Sequence, residues 1–123
     1  MVLYPSGRTG EYTTHPNTKK IRNRAFYYAQ KLTKITFNSG LEEIGNDVFQ
    51  GAASLKEIEY APTATLKKIG TFAFYGTGLE KLTIPASVEE IGWSAFSPTK
   101  LKSVEVEANS NLKTIGRDAF ANN

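Results

Sequence analysis

Apolar positions recur along this chain as a fixed phrase, in neither a helical nor a simple alternating rhythm. The phrase ends in Ile-Gly-x-x-Ala-Phe, written out as Ile91-Gly92-Trp93-Ser94-Ala95-Phe96. Variants are Ile44-Gly45-Asn46-Asp47-Val48-Phe49, Ile69-Gly70-Thr71-Phe72-Ala73-Phe74, Ile115-Gly116-Arg117-Asp118-Ala119-Phe120 and a looser Ile21-Arg22-Asn23-Arg24-Ala25-Phe26. The closing Phe stands at 26, 49, 74, 96 and 120, at intervals of 23, 25, 22 and 24 residues. A period in the low twenties predicts a solenoid, in which each unit buries its apolar face only against its neighbours.

Two further phrases lie between consecutive Phe positions. The first is Leu-x-x-Ile-x-apolar: Leu32 to Phe37, Leu55 to Tyr60, Leu79 to Ile84 and Leu101 to Val106. Its alternating end predicts a short strand, with Ile35 and Phe37, or Val104 and Val106, on the inner face. The second is an apolar pair around two polar residues, as in Leu41-Glu42-Glu43-Ile44 and Leu66-Lys67-Lys68-Ile69. The Gly that follows predicts a turn needing positive φ or close packing, and Arg22 in that slot predicts a first turn that is either looser or differently shaped. Asn46-Asp47, Ser94 and Asp118 are residue types that start helices, which predicts one short helical turn at each Ala-Phe.

Together these elements predict a β-rich α/β solenoid of about five coils, with short parallel strands and short helical turns. Its core would be ladders of like residues, with Ile21, Ile44, Ile69, Ile91 and Ile115 in one and the five Phe in another. At strand spacing five rungs span roughly 20 Å. Residues 1–20 read as turns joining short extended pieces, with Leu3-Tyr4 and Tyr12-Thr13-Thr14 as strand candidates. That gives a lead-in or cap over 1–20 and a repeat over 21–123, one domain in all.

Composition changes this picture little. At 123 residues, 40% hydrophobic and 22% charged, the chain is ordinary for one globular domain. No apolar run approaches the 18 or so residues of a membrane-spanning helix, and the first residues lack the basic start and apolar centre of a signal peptide. The absence of Cys removes disulfide, thiolate-nucleophile and thiolate-metal chemistry. Charge is uneven: residues 1–40 carry seven basic side chains against Glu11, a net of +6, whereas residues 41–123 carry eight against eleven, a net of −3. A basic end can steer an anionic partner, but it also reads as a merely solvated surface.

Catalytic chemistry finds no constellation. His15 is the one histidine and reads as a partly buried filler. Asp47 and Asp118 lie three coils apart, roughly 14 Å by strand spacing, too far for a working carboxylate pair. No phosphate loop, nucleophile elbow or metal spacing occurs, so no catalytic, cofactor or metal residue is assigned. Binding has better candidates in the outward strand positions, which packing leaves free to vary. One column reads Lys34, Glu57, Lys81, Ser103 and the next Thr36, Glu59, Thr83, Glu105. Glu57, Glu59, Glu105 and Glu107 make the later part of this face acidic, which disfavours nucleic acid. Trp93 and Phe72 fill slots that are polar in other units and read either as interface anchors or as shields over a neighbouring Ile-Gly turn.

From Leu79 to Phe96 the residues run Leu-x-x-Leu-x-Ile-Pro-x-x-Val-x-x-Ile-Gly-x-x-Ala-Phe, which resembles the BspA-like leucine-rich repeat; the likeness covers residues 21–120 in phase. Tyr4 to Tyr12 is similar to the lead-in of bacterial members. The resemblance implies a curved right-handed superhelix with its strands on the concave face. It also implies a bacterial cell-surface or secreted setting, and adhesion to a protein or surface-polymer ligand. The chain departs from the family pattern at the small position three after Phe, here Ala29, Ala52, Thr77, Thr99 and Asn123. Pro16 stands one residue closer to its Phe than Pro85 does, which puts His15 in a slot usually apolar. After Phe120 nothing reads as a cap, so that end predicts a fragment, a covering partner or end-to-end self-association. Two functions fit: a non-catalytic binding or adhesion module, and a structural spacer without a ligand of its own.

Overall fold

The computed structural model describes residues 10–123. The Leu3-Tyr4 strand candidate and residues 4–9 of the lead-in fall outside the described residues. Among the described residues ten strands alternate long and short: β1 (Gly10–Thr13), β2 (Lys20–Ile21), β3 (Leu32–Phe37), β4 (Glu43–Ile44), β5 (Glu57–Tyr60), β6 (Lys68–Ile69), β7 (Lys81–Ile84), β8 (Glu90–Ile91), β9 (Ser103–Val106) and β10 (Thr114–Ile115). Each coil is a long strand, a short strand and a Phe turn, giving five coils. The short strands form one parallel sheet in the order β10-β8-β6-β4-β2. β1 takes the long-strand place of the first coil, parallel to β3.

The ladders are present at atomic detail. Phe26, Phe49, Phe74, Phe96 and Phe120 stack with ring centroids 5.0, 4.9, 5.0 and 5.4 Å apart and near-parallel planes. Ile21, Ile44, Ile69 and Ile91 are fully buried beside them. The last coil differs, because nothing packs on its far side among the described residues: Val104, Val106 and Ile115 are exposed. Its final turn is held to the coil before it by a side chain. The Asn123 amide donates to the carbonyls of Phe96 and Phe120 at 2.9 and 2.8 Å and accepts from the Thr99 amide.

The predicted helical turns are not there. No helix occurs among the described residues, and the α/β solenoid is corrected to a parallel β-solenoid. The backbone amides around the first four Phe residues alternate in direction, which no helix permits. Arg24, Phe26 and Tyr28 donate to Asn46, Val48 and Gln50 of the next coil, whereas Ala25, Tyr27 and Ala29 close local turns on Arg22, Arg24 and Phe26. The residue two before Phe is left-handed in every coil, at φ 64, 57, 57, 49 and 57° for Arg24, Asp47, Phe72, Ser94 and Asp118. Such a residue breaks a right-handed helix, and Asp and Ser tolerate the conformation better than most. Asn46 does not cap a helix either: its Oδ1 accepts from the Thr71 amide at 2.9 Å, and its own amide donates to Asn23 Oδ1 at 2.8 Å.

Close packing, and not positive φ, explains the Gly after Ile. A Cβ on Gly70 would sit 2.5 Å from the Gly45 carbonyl oxygen, and one on Gly92 2.5 Å from the Thr71 amide nitrogen. Arg22 fits because β2 is the edge strand of its sheet, with no coil beneath it among the described residues.

His15 is corrected as well. It is exposed, and its Nδ1 accepts from the Asn17 amide at 3.0 Å. The inner slot opposite Phe37 belongs to Thr14, buried to 1%, because Thr13 pairs with Thr36. The Thr14 hydroxyl donates to Asn38 Oδ1 at 2.6 Å and accepts from the Asn38 amide at 2.8 Å, so burial leaves it satisfied.

Candidate binding surface

The long strands carry the outward columns, and their pairing decides how far those columns are continuous. Lys34 sits opposite Glu57 and Thr36 opposite Glu59 across β3 and β5. Lys81 sits opposite Ser103 and Thr83 opposite Glu105 across β7 and β9. No ladder joins β5 to β7 among the described residues, and the long strands form two sheets, β1-β3-β5 and β7-β9. The expected single face is two faces with a seam between them.

The chain shows why the seam opens there. Ala61 donates to the Phe37 carbonyl and Glu107 to that of Ile84, clamping the ends of their strand pairs. The equivalent residue at the end of β7 is Pro85, which has no N–H to give Tyr60. The unit from Phe49 to Phe74 is also the longest, at 25 residues, the extra length being carried near the Ala61–Thr65 loop. The same two coils stay joined elsewhere: Gly92 donates to Ile69 at 2.8 Å, Phe74 to Ala95 at 2.7 Å and Gly76 to Pro98 at 2.9 Å. Two cavities of about 470 and 460 Å³ therefore open along the strand side only, lined by residues of both β5 and β7.

The charges on the first face are partly spent on each other. Lys34 Nζ lies 2.9 Å from Glu59 and 3.8 Å from Glu57. The hydrogen bond to Glu59, with the charges of Glu59, Glu57 and Glu11, holds its ammonium above the usual lysine range, against a smaller opposing effect of desolvation. Glu107 crosses towards the seam, where its carboxylate accepts from the Ala86 amide at 2.9 Å. Burial, and secondarily the Glu107 charge, pushes the Tyr60 phenol well above its ordinary value.

That shift sets an alkaline limit on stability. A raised pKa means that the folded phenol keeps its proton where the unfolded one loses it. The contribution is then complete below about pH 10 and declines as pH rises further. Lys34 adds a decline of the same sign. Urea melts between about pH 9 and 11 should show stability falling with pH in the native chain and falling less in Tyr60→Phe. An identical alkaline slope in the two proteins would place the phenol in water.

Trp93 lies away from these columns, on the turn edge between β8 and Phe96, and is 65% exposed. The shielding role is the one seen: a Cβ on Gly116 would lie 2.7 Å from its Cδ1, so the ring covers that turn while the rest of it faces solvent. It borders a groove of about 320 Å³ shared with Lys68, Glu90 and Thr114. Phe72 is half-buried, edge-on to Tyr75 at 5.2 Å.

The sequence reading missed an alternating charge row on the short-strand sheet. It runs Lys20, Glu43, Lys68, Glu90, with Lys20–Glu43 at 3.2 Å and Lys68–Glu90 at 3.9 Å. Exposed pairs like these contribute little stability but disfavour wrong registers. The residue before each Ile carried that signal. Among the described residues no cluster of three or more His, Asp or Glu side chains is placed to hold a metal ion, and no helix is long and apolar enough to cross a membrane.

A family model described as the BspA type leucine rich repeat region matches residues 11–123 in six copies. No curated protein matches the chain. Among solved structures it is similar to the pneumococcal vaccine antigen PcpA, at 29% identity and a TM-score of 0.86 over 98% of this chain and 34% of that one. This chain thus spans about a third of the PcpA chain. The fold is shared with a leucine rich cell surface protein from Faecalibacterium prausnitzii A2-165, at 20% identity and a TM-score of 0.57 over 94% of this chain and 45% of that one. It is also shared with the T. pallidum leucine rich repeat protein, at 19% identity and a TM-score of 0.53 over 93% of this chain and 81% of that one.

Proposed function

The chain belongs to the BspA-type leucine-rich repeat family, and from that premise we propose that it is a non-catalytic binding or adhesion module of a bacterial surface or secreted protein. One observation carries the reading. The repeated Ile, Leu, Gly, Ala and Phe are consumed by packing between coils, whereas the outward strand positions vary on a rigid frame that does not need them. A rigid scaffold with variable outward residues is how repeat proteins present a contact surface. The description of PcpA as a vaccine antigen, and that of the F. prausnitzii neighbour as a cell surface protein, fit the setting.

The ligand surface in this reading is Lys34, Thr36, Glu57 and Glu59 on one sheet and Lys81, Thr83, Ser103 and Glu105 on the other. The partner is a protein or surface polymer that presents basic groups to Glu57, Glu59 and Glu105. Binding to immobilised fibronectin, laminin and collagen, read by surface plasmon resonance, tests it. The triple variant Glu57→Gln, Glu59→Gln, Glu105→Gln should weaken any interaction found by about tenfold, since each exposed pair lost is worth up to about 1 kcal/mol. Unchanged affinity would move the contact off this face. A chain that binds none of these and no surface polymer would instead be a spacer that presents its neighbours.

A further inference from the structure

The seam between β5 and β7 breaks the repeat's own rule, and what it leaves unpaired specifies what can fill it. Every other pair of neighbouring long strands is joined by a parallel ladder. At one end of the pairs, Lys56 donates to Thr33 at 3.0 Å and Lys102 to Glu80 at 2.9 Å. Among the described residues no such bond links Glu80 to Lys56. At the other end Pro85 cannot make it. The edge of β5 facing β7 and the edge of β7 facing β5 therefore both present backbone donors and acceptors to an open cleft. Only another polypeptide backbone supplies the complementary groups at strand spacing along a whole edge.

Side chains around the cleft narrow the occupant further. Ile58 and Tyr60 are half-buried where their counterparts Ile35 and Phe37 in the paired strand are 0% and 2% exposed. On the far wall Leu82 and Ile84 point into the same core row. The uncovered apolar wall of the cleft is therefore that of Ile58 and Tyr60, whose partial exposure leaves surface for an incoming apolar side chain to cover, whereas Leu82 and Ile84 are already buried. The half of the cleft beyond Tyr60 is lined by Glu59 and Glu107 and by no basic residue.

We propose that this seam binds an extended segment of a partner polypeptide, which enters as a parallel strand between β5 and β7. Its alternate residues are apolar and inward, and its C-terminal end carries Lys or Arg against Glu59 and Glu107. Four residues of strand span about 13 Å, the length of β5 and β7. The inserted strand makes one sheet of two. This deepens the binding-module reading and rests on it for the existence of a protein partner; it differs in locating contact at backbone edges and not at the outward columns.

The test uses the full chain, labelled with ¹⁵N, and the capped hexapeptide Thr-Ile-Thr-Val-Lys-Lys. On titration the amide signals of Glu57–Tyr60 and Lys81–Ile84 should shift together and their hydrogen exchange should slow. The same peptide N-methylated at Ile and Val loses two backbone donors and should bind about tenfold more weakly or worse. In Glu59→Gln the unmethylated peptide should bind about two- to fivefold more weakly, as expected for one exposed charge pair. No shift up to about millimolar peptide, shifts that map away from both strands, or equal binding of the N-methylated peptide would each overturn insertion; millimolar is the weakest binding a short peptide is expected to show. If a matrix protein binds the outward columns while the hexapeptide leaves β5 and β7 unchanged, insertion is overturned and the binding-module reading stands.

Discussion

Phe74→Ala should cost about 3 to 5 kcal/mol of folding stability, the range for removing a fully buried aromatic side chain. Phe74 is 1% exposed and lies midway in the ring column, 4.9 Å from Phe49 and 5.0 Å from Phe96. Its loss opens a hole between two stacked neighbours whose backbones are pinned, since Phe49 donates to Ala73 and Phe74 to Ala95. The coils cannot close on the hole without breaking those bonds. Because a solenoid is held by nearest-neighbour contacts, a weak central rung also uncouples the two ends. Urea melts monitored by the intrinsic fluorescence of Trp93 read both effects. Phe120→Ala is the comparison: among the described residues that ring stacks on one other ring, at 5.4 Å, and is half-buried, so it should lose less than half as much. A loss below about 1 kcal/mol at Phe74 would mean that the ring column does not hold the coils together.

The ring column was legible in the sequence because each rung is the same residue at nearly the same interval. Ladders of identical residues are the part of a solenoid that a repeat must write down. The features that escaped the reading depend instead on single residues out of step. Thr14, and not His15, enters the core because a shift of one residue along a strand exchanges its faces. The pattern reading aligned Pro16 with Pro85, and so placed the wrong residue inward. Asp and Ser at the Ala-Phe turn predict a helix start, yet they serve there because they tolerate a left-handed backbone. A polar residue before a short apolar segment is the same signal in both cases; the destination of the backbone hydrogen bonds distinguishes them, and that is set by the neighbouring coil. The outward strand columns pair within each half in the register that the repeat predicts. Their division at the seam was not read, although its marks, Pro85 and a 25-residue unit, are both in the sequence. A missing N–H matters only when the strand it would have bonded is known.

Gly70→Ala tests the other half of what holds the coils at strand spacing, the close approach that the rings alone do not enforce. The added methyl would lie 2.5 Å from the Gly45 carbonyl oxygen and 2.6 Å from its carbon, and both are backbone atoms. A flexible side chain could swing away from such a contact, but a backbone held by its own ladder cannot. Gly70 itself donates to Ile44 at 2.9 Å, and the next coil repeats the bond from Gly92 to Ile69. Forcing these coils apart adds overpacking of about 1 to 3 kcal/mol to weakened inter-coil bonds of about 1 kcal/mol each, so a loss of about 2 to 4 kcal/mol is expected. The comparison lies within the same chain. A methyl on Gly40 would have Lys19 Nζ, the far end of a flexible side chain, as its nearest neighbour at 3.4 Å. Gly40→Ala should therefore be neutral or stabilising by up to about 1 kcal/mol through the unfolded chain. Arg22 makes the same point naturally, since the slot accepts a full side chain just after the edge strand, where no coil packs beneath it among the described residues. If thermal melts give Gly70→Ala and Gly40→Ala the same midpoint, the glycine row is not what sets the coil spacing. The hydrogen-bond ladder of the short strands would then have to hold the spacing alone.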